Sequence, residues 1–112
     1  MTSYLDFEMR LSRVPKGQQP SVRIWVDEDH DGKMDHHEEV TDLRRESLLW
    51  RGRKALRAET AEGIAFLVRY EASAGARWRL RVWSDAPERH LVYEESDTAT
   101  EDAGRIIGWC RA

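Results

Sequence analysis

Twelve consecutive residues, Asp27-Glu28-Asp29-His30-Asp31-Gly32-Lys33-Met34-Asp35-His36-His37-Glu38, carry six carboxylates and one ammonium. The local balance is −5, which leaves the other hundred residues at +2 out of a total of −3. So much like charge in a short stretch is costly unless a cation sits among the carboxylates or the segment is solvated and loose. Acids at alternate positions of a tightly wound loop can aim their oxygens at one centre, and a hard dication takes six to eight oxygens at about 2.3 to 2.6 Å. Asp27, Asp29 and Asp31 supply three such ligands. Gly32 falls where the chain must turn sharply, which a residue without Cβ does at least cost. Lys33 offers its backbone carbonyl while its ammonium points to water, Asp35 coordinates directly or through a water, and Glu38 closes the shell with both oxygens. Ca2+ is the ion, and the cofactor, that this oxygen set predicts.

The segment fits D-x-[DN]-x-[DN]-G-x5-E at every specified position. It resembles the calcium-binding loops of the EF-hand type, and the resemblance covers residues 27–38 alone. Met34 then stands where such loops anchor an apolar side chain to the core. Pro20 and the β-branched run from Val22 to Val26 do not form an entering helix, and one copy is present. The likeness is therefore to the DxDxDG loops of strand-loop-strand surroundings in extracellular and bacterial proteins. Two rival readings remain: a solvated acidic turn, since Asp and Gly are common turn formers, and a zinc or nickel site using His30, His36 and His37 with the aspartates. No HExxH or similar spacing supports the second.

The elements around the loop read mostly as strands. Leu5, Phe7, Met9 and Leu11 alternate with Asp6, Glu8, Arg10 and Ser12, and Val22, Ile24 and Val26 alternate with Arg23 and Trp25. Val14 to Pro20 is a connection, since prolines bracket a glycine. After the loop, His37, Val40, Leu43 and Ser47 fit one face of a short helix, while Val40-Thr41 also allows a strand. Leu48 to Glu59 predicts one or two strands about a bend at Gly52. The runs from Ile64 to Tyr70 and from Trp78 to Val82, joined by Ser73-Ala74-Gly75, predict a hairpin. A turn at Asp85-Ala86-Pro87, a short strand Leu91-Val92-Tyr93, a polar connection from Ser96 to Gly104 and a closing strand from Ile106 to Cys110 complete the chain. The expectation is an all-β fold, an antiparallel β-sandwich of about seven or eight strands, with the acidic loop after the second strand and residues 1–112 as one domain.

Composition excludes several classes. A chain of 112 residues with 40% apolar and 35% charged types has room for one core. No stretch approaches the roughly 20 apolar residues of a membrane span, and no secretory signal is visible. The single cysteine, Cys110, rules out an intrachain disulfide and any multi-thiolate site. These features fit a bacterial cytosolic protein or a segment of a larger secreted chain, and leave the compartment open.

Five tryptophans invite a glycan-binding reading. Alternation turns Trp78 inward and Trp25 and Trp83 outward, so the last two form a ligand platform if their strands are neighbours; the alternative is that each is covered by a loop or an Arg side chain. Arg77, Arg79 and Arg81 share a strand face that Arg69 and Arg23 would join. Because fifteen of the eighteen basic residues are Arg, an ordinary solvated face is the favoured reading over a nucleic-acid surface. No nucleophile elbow, phosphate loop or paired-carboxylate motif is present, and Cys110 reads as a small buried hydrophobe. The expectation is a non-enzymatic calcium-binding module. The alternatives are a carbohydrate-binding module or a calcium-responsive regulator of a protein partner.

Overall fold

The computed structural model describes residues 3–28, 31–56, 63–85 and 88–111. Among these are eight strands, β1 (Ser3–Ser12), β2 (Ser21–Val26), β3 (Arg44–Glu46), β4 (Leu49–Leu56), β5 (Ile64–Glu71), β6 (Arg77–Ser84), β7 (His90–Thr98) and β8 (Ala103–Cys110). They form two antiparallel sheets packed face to face, with orders β3-β4-β1-β6-β7 and β2-β5-β8. This is the expected all-β sandwich.

The period of two decides which side of each strand is buried. Leu5, Phe7, Met9 and Leu11 of β1 and Trp78, Leu80 and Val82 of β6 line the larger sheet's inner face. They meet Val22, Ile24 and Val26 of β2 and Ile64, Phe66, Val68 and Tyr70 of β5. Phe66 lies edge-on to Phe7 at 5.6 Å and to Tyr93 at 4.9 Å between ring centroids. Opposite β5, Gly104 and Gly108 of β8 leave the space that the Tyr70 and Phe66 rings fill, since a Cβ at Gly108 would stand 2.3 Å from the Phe66 ring.

Several expectations are corrected. β5 and β6 are not a hairpin: β5 pairs with β2 and β8, β6 pairs with β1 and β7, and the Ser73-Ala74-Gly75 turn carries the chain from one sheet to the other. Alternation reports which face is apolar, and both faces here point into the same core from opposite sides. The stretch after the acidic loop, expected to be a short helix or a strand, divides between the two. It holds a 3-10 turn, His36–Glu38, a bridge at Glu39 and the short β3. β4 runs through Gly52 unbroken, because Val40 and Leu43 pack where a side chain at 52 would stand. β7 extends through the polar run to Thr98. The expected strand end from 57 to 59 and the Ala86-Pro87 turn lie outside the described residues.

Candidate metal centre

β2 ends by delivering Asp27 to the rim of the sandwich. Its N–H donates to the Ala65 carbonyl at 2.9 Å, one rung beyond the β2–β5 ladder, so its side chain is fixed by the sheet and only 4% exposed. The chain then winds back over that carboxylate. Asp27 Oδ1 accepts the Asp31 N–H at 3.3 Å and Oδ2 accepts the Gly32 N–H at 3.0 Å. Asp31 Oδ1 in turn accepts the Lys33 N–H at 2.8 Å. Gly32 has φ +75° with open space where a Cβ would sit, so the left-handed backbone, and not crowding, calls for glycine there.

The other end of the loop closes on Glu38, which is fully buried. Its Oε2 accepts the Glu28 N–H at 2.6 Å and its Oε1 the Asp35 N–H at 2.9 Å, so one carboxylate ties the loop's second and ninth residues together. An ionised carboxylate has about four lone-pair sites, so accepting these two bonds does not by itself bar Glu38 from facing a cation. Past Glu38 the chain returns to β2: the Val40 N–H donates to the Ile24 carbonyl at 2.8 Å, and Arg23 grips Glu39 with two bonds of 2.9 and 2.8 Å. Both ends of the loop therefore rest on the same strand.

Oxygens of Asp27, Asp31 and Glu38 lie within 4.8 Å of one another, and so do ligand atoms of Asp35, His37 and Glu38. Glu38 is common to both groups. Of the residues expected from sequence, Asp27, Asp31, Asp35 and Glu38 are thus gathered about one buried carboxylate. Lys33 is exposed. Asp29 and His30 lie outside the described residues. The donor set is all oxygen in the first group and includes an imidazole in the second, so the first suits a hard cation and the second tolerates a transition metal.

One contributor has no sequence signal. Lys54 of β4 faces the inner side of the larger sheet and reaches out to the loop, with Nζ 3.5 Å from Glu28 Oε1 and 3.2 Å from the His37 carbonyl. Its place follows from the β1–β4 register, which sets it opposite Leu5.

The two tryptophans expected to share a platform are on different sheets. Trp25, on β2, is 7% exposed and covered by the guanidiniums of Arg23 and Arg69 at 4.7 and 5.5 Å from its ring. Trp83, on β6, lies under Arg89 at 4.9 Å. It borders an open groove of about 450 Å³ that Asp6, Glu8, Arg51, Arg53 and Arg89 also line. Asp6 is held there between Arg53 and Arg89, and the Arg53 guanidinium holds its carboxyl below the usual range against the opposing effect of burial. Arg23 and Arg69 do not extend the Arg77-Arg79-Arg81 face, because they project from the other sheet. Cys110 is buried, which pushes its thiol up to about 11.

Comparison of the chain with family models, curated proteins and solved structures returned no match.

Proposed function

We propose that the protein is a non-catalytic β-sandwich module that binds one Ca2+ in the 27–38 loop. The observation that carries this reading is the convergence of Asp27, Asp31 and Glu38 within 4.8 Å, although eleven positions separate the first from the last. Two of these carboxylates are almost wholly removed from water, a placement that a merely solvated acidic turn does not require. The ion would be held by Asp27, Asp29, Asp31, Asp35 and Glu38 with the Lys33 carbonyl, and would neutralise the cluster and pin the loop against β2 and β5. Lys54 meets the loop from the β4 side at Glu28, so the dication and the ammonium would divide the anionic charge between them. The ion's contribution is then stability and a fixed loop surface.

A calorimetric titration with CaCl2 tests the reading. One site per chain is expected, and its loss in Asp31→Asn. A titration without heat of binding at millimolar calcium refutes it. Because His37 joins Asp35 and Glu38, a zinc or nickel site is the second reading, and tighter binding of Zn2+ than of Ca2+ with His37→Ala abolishing it would establish that reading instead.

A further inference from the structure

Two open sheets have four edges, and three of them are blunted by familiar means. β3 is three residues long and all charged, and β7 carries Glu94, Glu95 and Asp97. The free side of β2 is covered by Glu39 and Val40. β8 is different. It is eight residues long, no strand among the described residues pairs with its outer side, and it exposes Ile107 (69%) and Trp109 (54%). An extended apolar edge of this kind is a template for another strand.

We infer that the outer edge of β8 pairs with β8 of a second copy of the chain, joining two three-stranded sheets into one of six about a two-fold axis at Ile107. The occupant is chosen by self-complementarity. Arg105, Ile107 and Trp109 share the outward face. An antiparallel copy centred on Ile107 sets Ile107 against Ile107 of the partner subunit, and Arg105 against Trp109 of the partner subunit, twice. A guanidinium beside an indole attracts, as Arg111 at 5.8 Å from the same ring already illustrates. On the inward face, Ile106 meets Gly108 of the partner subunit, a large residue against a small one, and Gly104 meets Cys110 of the partner subunit, both small. Moving the axis to Gly108 would set Arg105 against Arg111 of the partner subunit, a like-charge pair that costs stability. The row Trp25-Leu67-Ile107, in register across the three strands, runs unbroken through the axis into its own image. The interface is isologous, as a two-fold requires.

Sedimentation of the full chain between about 1 and 300 µM tests this, since self-association depends on protomer concentration. The mass should rise toward twice that of one chain, and Ile107→Lys, which places like charges on the axis, should stay monomeric at the highest concentration. A second measurement serves if that variant fails to fold. Mild oxidation should link Ile107→Cys into a covalent dimer and leave Arg105→Cys unlinked, because position 107 alone faces itself. A wild type that stays monomeric throughout overturns the inference, even if it captures a strand of another protein. So does a dimer indifferent to Ile107→Lys, or equal cross-linking at 105 and 107.

Discussion

Removing calcium is the perturbation that tests the central reasoning most directly. Two unit charges 4.8 Å apart repel by about 3.5 kcal/mol at an effective dielectric of about 20, and Asp27, Asp31 and Glu38 lie within that distance of one another. The apo protein bears that repulsion and a bound dication reverses its sign. By mass action, calcium at a hundred times its dissociation constant stabilises the native state by about 2.7 kcal/mol. For a domain of this length that free energy corresponds to a melting temperature higher by about 11 °C. Thermal unfolding followed by far-ultraviolet circular dichroism, with a calcium series against chelator and a magnesium control, measures the shift. Asp31→Asn keeps an acceptor for the Lys33 N–H and removes one charge, so its apo melt should match or exceed that of wild type while the calcium shift disappears. Superimposable wild-type melts in chelator and in millimolar calcium would refute the argument, as would an Asp31→Asn protein that retains the full shift.

Three further outcomes follow from the packing and charges. The folded-state acidity of Asp6 is strengthened by Arg53 and Arg89, so its contribution is complete above the unfolded value near 3.8 and is lost as pH falls through the lower folded value. Asp6→Asn should flatten that part of the acid unfolding curve, and an unchanged curve counts against the pairing. Burial raises Cys110 from 9.0 to about 11, so stability present below pH 9 should decline by about 3 kcal/mol as pH climbs past 11. Cys110→Ala should remove that decline in urea titrations, and persistence of the full slope would refute the assignment. In Gly108→Ala the new methyl meets a Phe66 ring that Phe7 and Tyr93 hold in place, which should cost about 1–3 kcal/mol and lower the urea midpoint at constant slope; wild-type stability in this variant would show that the ring can move.

The inner faces of the sandwich were legible because β1, β2, β5 and β6 alternate without interruption, and Ser21–Val26 begins and ends where its flanking signals put it. Partnership was not legible. Alternation leaves open which strand occupies each edge, so two successive runs joined by a small-residue turn read as a hairpin when the turn in fact crosses between sheets. The loop's clustered carboxylates were visible by spacing, since their offsets are local. Lys54 was not, because it reaches Glu28 only through a pairing of β1 with β4 some fifty positions apart. Trp109 carries a sequence signal in its parity with Arg105 and Ile107, opposite to Ile106 and Cys110, which marks it as outward. The stretch from 39 to 47 is held by scattered contacts, among them the Glu39 bridge, the Val40 bond to Ile24 and the three β3 pairs, and carries too little periodicity for either template.

The central position of β1 bears on how the chain reaches this state. Its two neighbours, β4 and β6, begin at Leu49 and Arg77, so both of its ladders close loops of tens of residues. A topology so rich in distant pairings folds slowly for its size. During synthesis β1 emerges with an apolar face and has no sheet partner until β4, which begins at Leu49, has followed, a window in which a chaperone would find its simplest target.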